Sequence, residues 1–483
     1  MTSPAAGVAT LAEQHGAGNV RPAATVSAAF ARAAEVRAGP DGLNAILALD
    51  RDGALGSAEE LAHRHQQGQR PGPLAGVPIV VKDNIATLTM PTSCGSRILE
   101  GYVSPYEATV VTRLREAGAI VIAKTNMDEF AMGSSTENSA YGPARNPLDP
   151  TRVPGGSSGG SAACVAAGIV PAALGSETGG SVRQPAAFCG IVGVKPTYGR
   201  VSRYGLVAFA SSLDQVGVFG RTVDDAAIVV GAIAGRDRYD STSADVQVDT
   251  YQSPATEDLT GLVIGRPREY FPESLDSRIR DRCDAAIATL RELSATVRDV
   301  SLPHTELAIP VYYIIAPAEA SSNLARFDGV RYGVRGAAPS LREMYERTRS
   351  GGFGPEVTRR ILLGTYVLSA GYYDAYYKKA QEVRALIADD FRRVFDSGVH
   401  ALFTPTAPTT AFPLGTRSDP YDMYLSDIFT ATANLAGIPA LSLPVGRVDG
   451  LPVGGQLMAR HFNEAVIFRV AYALERALGG RSA

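Results

Sequence analysis

Two glycine- and serine-rich stretches, residues 155–161 (GGSSGGS) and 175–181 (GSETGGS), are the parts of this chain best suited to covalent chemistry. Glycine lacks a Cβ, so the backbone around it can turn its N–H groups toward a ligand. A serine held in such a turn can act as a nucleophile. Flexible linkers have the same composition, but the small apolar residues at 162–167 and 169–174 favour close packing. We therefore expect two ordered loops that present serine hydroxyls.

Neither stretch has the residues that a phosphate-binding loop needs. A P-loop carries lysine and then serine or threonine directly after its last glycine, whereas Ser161 and Ala162 follow Gly160. The chain also offers no GxGxxG fingerprint between a strand and a helix, which dinucleotide binding requires. Nucleophilic catalysis by serine is the better interpretation of these loops.

A serine nucleophile needs a base to accept its proton, and histidine is the usual one. All six histidines lie far from Ser181 in sequence. This weakens a Ser-His-Asp arrangement without excluding it, because triads assemble in space. Lysine is the other candidate base. Its pKa must fall from about 10.4 toward about 7–8 for it to be neutral, and burial lowers a lysine pKa in this way.

Three lysines stand directly after short apolar runs that are typical of buried strands: Lys82, Lys124 and Lys195. An average lysine is a solvated surface group. A lysine that ends a run of valine and isoleucine is a better candidate for burial, and Lys82 is followed by Asp83 and Asn84 rather than by a charge run. The residues alone favour Lys82 slightly over Lys124 and leave the choice open.

Strands and helices in alternation must position these groups. Predicted strands cover residues 44–49, 76–81, 119–123 and 262–265, and a further strand ends near Val300. Predicted helices cover residues 25–38, 57–65 and 107–117, a segment with Ile279, Cys283 and Ile287 on one face, and a stretch from Asn463. Ser57 and Glu60 have the form of a capping box. The pattern predicts an α/β fold: one large α/β/α domain whose mixed central sheet is covered by helices on both faces.

The composition excludes several other classes of protein. The net charge of −3 gives no broad basic face for nucleic acid. The four cysteines lack the spacing of a zinc site, so we expect reduced, buried thiols. The N-terminus does not have the basic and apolar regions of a signal peptide, and no apolar run is long enough to span a membrane. A cytoplasmic location is the expectation.

Lys82-Asp83-Asn84, residues 155–161 and residues 179–186 (GGSVRQPA) resemble the amidase signature family in order and spacing. The resemblance implies a Ser-cisSer-Lys triad: Lys82 as the base, Ser157 as a bridging serine in a cis peptide, and Ser181 as the nucleophile. Lys124 then becomes a structural lysine. The backbone N–H groups of Thr178, Gly179, Gly180 and Ser181 are implied to hold the oxyanion.

Further segments resemble one branch of that family, the glutaminase subunits of tRNA-dependent amidotransferases: 124–138, 195–205, 318–326 and 371–377. The likeness extends from about residue 70 to 476. It implies glutamine hydrolysis and delivery of ammonia to a tRNA-binding partner subunit, with a third, small subunit completing a heterotrimer. ATP and magnesium are then used by the partner, and this chain needs no cofactor.

No linker-like segment splits the chain, so we expect a single domain over 1–483, with a catalytic core over about 70–240 and a pocket and insertion region over about 250–430. The alanine-, glycine- and proline-rich composition of 1–24 predicts a loosely ordered segment.

The resemblance also assigns a glutamine pocket. Arg360 is assigned to the glutamine carboxylate, Asp427 to its amine, and Tyr312 to the pocket wall. Arg359 is the rival of Arg360. Glu177 departs from the family pattern, in which aspartate is common at this position.

Two other functions stay open at this point. A freestanding amidase that acts on small or acyl amides would keep the triad without the pair formed by Arg360 and Asp427. A catalytically silent scaffold would have no need to keep Lys82, Ser157 and Ser181 together.

Overall fold

The computed structural model describes residues 6–37, 42–251, 253–254, 256–417 and 419–479. In this part of the chain the strands are β1 (Ile46–Leu49), β2 (Pro78–Lys82), β3 (Ile120–Thr125), β4 (Ala172–Glu177), β5 (Val192–Lys195), β6 (Gln215–Gly220), β7 (Val263–Pro267), β8 (Thr296–Val300), β9 (Ala401–Pro405), β10 (Ala440–Val448) and β11 (Leu451–Ala459).

The α-helices over the same residues are α1 (Val8–Gly16), α2 (Pro22–Arg37), α3 (Arg51–Gln66), α4 (Thr109–Glu116), α5 (Gly159–Ala166), α6 (Arg183–Cys189), α7 (Val223–Ile233), α8 (Ser277–Glu292), α9 (Ala308–Asn323), α10 (Leu341–Gly352), α11 (Pro355–Val367), α12 (Lys379–Asp396), α13 (Pro420–Tyr424), α14 (Ala431–Ala436) and α15 (Glu464–Gly479). None of these helices is both long and apolar enough to cross a membrane.

The strands form one mixed sheet in the order β1-β3-β2-β4-β6-β5-β10-β11-β9-β7-β8. Strand β2 runs parallel to β3 and β4, and β7 runs parallel to β8 and β9. The other pairings are antiparallel. The predicted α/β fold with a mixed sheet is confirmed.

Both faces of the sheet are covered, because strand residues alternate between two hydrophobic cores. In β2, Ile79 and Val81 lie in the larger core, whereas Val80 lies in the smaller one. In β3, Val121 joins the larger core and Ile122 the smaller one. Side chains of a strand point to opposite faces in turn, so helices pack on each side of these strands.

The predicted strands coincide with β1, β2, β3, β7 and β8 within one or two residues, but helix α3 begins earlier than the capping-box pattern predicted. Asp50 is its N-cap and accepts a hydrogen bond from Gly53 N. Ser57 lies inside the helix, where its hydroxyl donates to Gly53 O at 2.7 Å. A serine can satisfy its hydroxyl on the preceding turn, so the pattern did not mark a helix start.

The N-terminal region differs from the loosely ordered segment expected over 1–24. Helix α1 buries Val8, Leu11 and His15, and Val8 N donates to Asp225 Oδ1 at 2.6 Å. This spacing places the three side chains on one helical stripe that can pack on the domain. Residues 1–5 and residue 38 lie outside the described part of the chain.

The sheet places the predicted catalytic residues at the carboxyl ends of two neighbouring strands. Strands β2 and β4 are parallel neighbours, so their carboxyl ends lie side by side. Lys82 is the last residue of β2, Glu177 is the last residue of β4, and Ser181 lies in the loop that follows β4. Ligands of open α/β sheets bind beyond the carboxyl ends of the strands.

Candidate active site

Lys82 reaches from the end of β2 to the first glycine-serine loop. Its Nζ lies 2.7 Å from Ser157 Oγ and 3.2 Å from Ser176 O. The side chains of Lys82 and Ser157 are fully buried. The peptide bond between Gly156 and Ser157 is cis, the conformation that the family resemblance implies. Lysine and serine are therefore placed for direct proton exchange.

The two glycine-serine loops are hydrogen-bonded to each other. Ser158 N donates to Ser181 O at 3.3 Å, and Gly156 N donates to Gln184 Oε1 at 3.0 Å. Gly155 has a φ of +85°, and a Cβ there would lie 2.4 Å from Gln184 Oε1. Only glycine tolerates both the dihedral angle and this approach. The loops hold Ser157 and Ser181 in one site.

Burial lowers the pKa of Lys82 to about 7, and the nearby carboxyl groups, Asp128 first among them, offset part of this effect. Desolvation disfavours the charged form of a lysine. A substantial fraction of Lys82 is therefore neutral near pH 7, and a neutral amine can accept the proton of Ser157.

The loop that ends in Ser181 has four successive backbone amides without a hydrogen-bond partner. Thr178, Gly179, Gly180 and Ser181 are buried, and none of their N–H groups donates a hydrogen bond to another described residue. Buried backbone N–H groups without a partner are rare in native proteins. Their clustering beside a serine is the arrangement that stabilises a tetrahedral intermediate.

Glu177 and Arg183 stabilise this loop through hydrogen bonds. Glu177 Oε2 accepts hydrogen bonds from Val182 N at 2.9 Å and Arg183 N at 3.0 Å, and Oε1 accepts from Arg183 Nε at 2.8 Å. Burial alone would raise the pKa of Glu177, but the charge and hydrogen bonds of Arg183, together with the charge of Lys195, lower it overall. The glutamate that departs from the family pattern therefore fixes the backbone directly after Ser181.

The other two candidate lysines do not contact the serines. Lys124 Nζ donates to Thr92 Oγ1 at 2.9 Å and to Pro91 O at 3.1 Å, and it lies 3.7 Å from Asp83 Oδ1. Lys195 donates to Pro196 O at 2.9 Å. Among the three, Lys82 is the lysine that reaches Ser157.

Tyr312 and Asp427 lie against the glycine loop. A Cβ on Gly179 would stand 2.8 Å from Tyr312 Cζ, and a Cβ on Gly180 would stand 2.6 Å from Asp427 Oδ1. Asp427 Oδ2 accepts a hydrogen bond from Ser134 at 2.6 Å. Its other oxygen, Oδ1, is buried and has no hydrogen-bond partner among the described residues. Burial raises the pKa of Asp427 to about 7.

Arg360 is buried in an aromatic cluster that adjoins Tyr312. Its guanidinium lies 5.2 Å from the ring centroid of Tyr313 and 5.3 Å from that of Tyr424. Its Nε donates to Glu356 Oε1 at 2.7 Å. The rival, Arg359, is half exposed and pairs with the other oxygen of Glu356. The buried arginine of this pair is thus the one turned toward the site.

Sequence reasoning missed Asp214. Its Oδ1 accepts from Thr178 Oγ1 at 2.7 Å, and its Oδ2 accepts from Phe209 N at 2.8 Å. The ring of Phe209 lies 5.7 Å from the guanidinium of Arg360. Asp214 therefore links the oxyanion loop to the arginine cluster. Its single sequence signal was an isolated acidic residue in a mostly uncharged segment before β6.

The remaining reactive groups give no second centre in the described part of the chain. No cluster of three or more histidine, cysteine or carboxylate side chains there could hold a metal ion. Cys94, Cys164, Cys189 and Cys283 are free and buried. Burial raises the pKa of Cys189 well above its usual range, so this thiol near Ser181 is poorly suited to nucleophilic attack.

The chain is similar to several named proteins. It is 58% identical over 436 residues to the A subunit of glutamyl-tRNA(Gln) amidotransferase from Carboxydothermus hydrogenoformans, a match that covers 90% of each chain. The protein of the same name from Chloroflexus aurantiacus is 58% identical over 444 residues, 92% of this chain and 91% of that protein.

Solved structures share the fold. The A subunit of glutamyl-tRNA(Gln) amidotransferase from Thermotoga maritima matches with a TM-score of 0.73 at 50% identity, over 84% of each chain. The peptide amidase of Stenotrophomonas maltophilia matches with a TM-score of 0.83 at 32% identity, over 97% of this chain and 96% of that one. A family profile described as Amidase covers residues 24–468. This chain therefore belongs to the amidase family.

Proposed function

We propose that this chain is the glutaminase subunit of a tRNA-dependent amidotransferase. It hydrolyses glutamine and delivers the ammonia to a partner that converts Glu-tRNA(Gln), Asp-tRNA(Asn) or both to the amidated forms. Relatives named as a subunit of glutamyl-tRNA(Gln) amidotransferase, at 58% identity, support the assignment. The observation that carries it is the unpartnered Oδ1 of Asp427 beside Gly180, in a carboxyl group whose pKa the charge of the buried Arg360 helps to lower.

The proposed reaction starts with proton transfer away from Ser181. Neutral Lys82 accepts the proton of Ser157 Oγ, and Ser157 accepts the proton of Ser181. Ser181 Oγ then attacks the side-chain carbonyl carbon of glutamine, and the amides of residues 178–181 hold the oxyanion. The C–N bond breaks as the proton returns along the same path to the leaving ammonia. Water hydrolyses the acyl-enzyme and releases glutamate.

The two ends of the zwitterionic substrate require opposite charges. The guanidinium of Arg360 binds the α-carboxylate, since planar guanidinium groups pair well with carboxylates. Asp427 Oδ1 accepts a hydrogen bond from the α-ammonium, which would give this buried oxygen its missing partner. Tyr312 closes the pocket beside Gly179. These contacts select glutamine over amides that lack charged ends.

The ammonia is used in a complex. In this proposal a large partner subunit binds the tRNA and uses ATP with magnesium, a small third subunit completes the heterotrimer, and this chain contributes no cofactor. It meets tRNA only through its partners, in keeping with its net charge of −3. The complex works in the cytoplasm.

The test compares glutamine with propionamide as substrates of the purified chain and of its Asp427→Asn variant. We expect the variant to raise KM for glutamine about 10- to 100-fold, because it loses a charge-assisted contact, and to leave propionamide hydrolysis unchanged. A freestanding amidase would hydrolyse propionamide as well as glutamine and lose both or neither. A Ser181→Ala variant with unchanged ammonia release would leave only the scaffold role.

A further inference from the structure

The segment over residues 133–138 is fixed by the buried carboxylate of Asp128. Oδ2 of Asp128 accepts a hydrogen bond from Thr136 N at 2.8 Å, and Oδ1 accepts one from Asn138 N at 3.1 Å. A Cβ on Gly133 would lie 2.4 Å from Cγ of Asp128, so no larger residue fits there. Hydrogen bonds from backbone N–H groups to a carboxylate are among the stronger ones in proteins, so this segment has a defined position.

The same segment is hydrogen-bonded to the first glycine-serine loop. Thr136 Oγ1 donates to Gly155 O at 2.8 Å. Gln184 Nε2 donates to Ser134 O at 2.9 Å, while Oε1 of the same glutamine accepts a hydrogen bond from Gly156 N at 3.0 Å. The backbone of Ser134 is thus fixed relative to the loop that carries the bridging serine.

The hydroxyl of Ser134 contacts Asp427, the residue proposed to bind the substrate ammonium. Ser134 is buried, and its Oγ donates to Asp427 Oδ2 at 2.6 Å. Asp427 Oδ1, beside Gly180, has no hydrogen-bond partner in the described part of the chain. Both oxygens of a carboxylate accept hydrogen bonds, so the contact with Ser134 occupies one oxygen and leaves the other free.

Ser134 also opposes the effect of burial on Asp427. Burial raises the pKa of Asp427 to about 7, and the hydrogen bond from Ser134 is the largest of the effects that lower it. A donor to a carboxylate favours its ionised form, which is the form that binds an ammonium group. Tyr312 and Tyr313, whose pKa values are raised by burial and also by the charge of Asp427, lie near it as neutral phenols. Three other charged groups act on this carboxyl group: Glu177, which raises its pKa, and Arg360 and Arg183, which lower it.

We propose that Ser134 is a positioning residue for the substrate ammonium, because its hydroxyl holds Asp427 Oδ2 and leaves Oδ1 free for the α-ammonium of glutamine. This rests on the proposed function, in which Asp427 binds that ammonium. Since Ser134 is tied through Gln184 to the loop of the bridging serine, the same segment sets where the ammonium binds relative to the triad. Side chains that are themselves fixed by hydrogen bonds orient the residues that contact a substrate.

The test measures KM for glutamine with the full chain and with its Ser134→Ala variant between pH 6 and 8.5. Loss of a hydrogen bond to a charged group should raise the pKa of Asp427 by about one unit. The variant should then raise KM about fivefold at pH 7 and less than about twofold at pH 8.5, because only the ionised carboxylate binds the ammonium. Titration of the substrate amine affects both proteins equally and cancels in the ratio of their KM values. The acid midpoint of kcat should stay at about 7, since Lys82 sets it.

Two controls separate this role from general support of the fold. KM for 4-carbamoylbutanoate, which is glutamine without its α-amine, should not rise in Ser134→Ala at any pH. The matched variant Ser135→Ala removes a neighbouring buried hydroxyl, which accepts a hydrogen bond from Glu137 N at 3.4 Å. It should leave KM for glutamine unchanged at every pH.

The outcomes distinguish the role of Ser134 from the proposed function itself. A rise in KM that is the same at every pH, or an equal rise for 4-carbamoylbutanoate, would overturn the role assigned to Ser134. So would an unchanged KM for glutamine in Ser134→Ala when Asp427→Asn raises it. If Asp427→Asn itself leaves KM for glutamine unchanged, the proposed glutamine site is wrong, and the role of Ser134 is refuted with it.

Discussion

Lys82 is buried, and burial disfavours the charged form of its side chain. The same effect makes the neutral amine available as a base. The amine has no carboxylate within salt-bridge distance among the described residues, and it lies against a hydroxyl and a carbonyl oxygen. Lys124, equally buried, lies 3.7 Å from Asp83. Lys82 is thus placed to lose its proton near neutral pH. Burial lowers the pKa of Lys124 as well, but Asp83 offsets part of this effect by favouring the charged form.

Replacing Lys82 should therefore affect chemistry, whereas replacing Lys124 should affect stability. We expect Lys82→Ala to reduce kcat for glutamine about 10²- to 10⁴-fold, the usual size of a general-base effect, with an unchanged circular dichroism spectrum. Lys124→Met should lower the free energy of unfolding by about 3–5 kcal/mol, since Asp83 would be left as an unpaired buried charge. Glutamine hydrolysis that survives in Lys82→Ala but not in Lys124→Met would reverse the assignment of the base.

The pH profile should separate Lys82 from Asp427. Lys82 acts in its neutral form and its pKa is about 7, so kcat should fall as pH drops below about 7 and level off above it. Asp427 binds the substrate ammonium in its ionised form, and burial raises its pKa to about 7, so KM should rise as pH falls.

Because both groups titrate in the free enzyme, kcat/KM should fall with a slope of about two below pH 7, and kcat with a slope of about one. Steady-state kinetics between pH 5 and 9 would measure both slopes. In Asp427→Asn the slope of kcat/KM should decrease to about one. A kcat that does not change across this range would show that no group with a pKa of about 7 acts as the base.

The loop after β4 brings these side chains together in one site. Glu177 and Arg183 hold its far end, Asp214 holds Thr178, and the glycines between them approach Tyr312 and Asp427 too closely for any side chain. The loop is fixed at both ends, so its amides can stay unpaired and aligned before the substrate arrives. Such preorganisation is what makes an oxyanion site effective.

Adding one methyl group to this loop should disable it. In Gly180→Ala the new Cβ would lie 2.3 Å from Thr430 Oγ1 and 2.6 Å from Asp427 Oδ1, so the loop must move. We expect kcat/KM for glutamine to fall about 10²-fold or more, because small displacements of aligned groups are costly. Ammonia release by the purified variant would measure this.

The control for this prediction is Gly56→Ala in helix α3, where a Cβ would meet no atom within 4 Å. It should keep full activity and raise the free energy of unfolding by about 0.5–1 kcal/mol, since alanine is the better helix former. Normal activity of Gly180→Ala would mean that the loop is less constrained than the contacts indicate.

For the molecule as a whole, the near balance of basic and acidic residues limits the affinity of the isolated chain for tRNA. With 46 basic and 49 acidic residues, it has no excess of cations to neutralise a phosphate backbone. We expect the isolated chain to give no shifted band with tRNA at about 150 mM salt in a gel-shift assay at micromolar protein. Addition of the two partner subunits should produce one. Tight binding by the chain alone would contradict the indirect role proposed for tRNA.

The sequence predicted the parts of this protein that depend on short-range patterns. Short continuous apolar runs predicted β2 and β3, and a helical pattern predicted α4, because such patterns reflect the local backbone. The glycine-serine loops and Lys82 could be identified through their residue types and their resemblance to a family. The start of α3 was predicted wrongly, since Ser57 can satisfy its hydroxyl within the helix.

The tertiary structure decided everything that depends on which distant segments meet. Sequence alone could not choose among Lys82, Lys124 and Lys195, because each follows a short apolar run of the same kind. Only the parallel pairing of β2 with β4 carries Lys82 to the serine loops. Asp214 and the unpartnered Oδ1 of Asp427 were invisible for the same reason: hydrogen-bond satisfaction and burial are properties of the folded chain, and no short pattern encodes them.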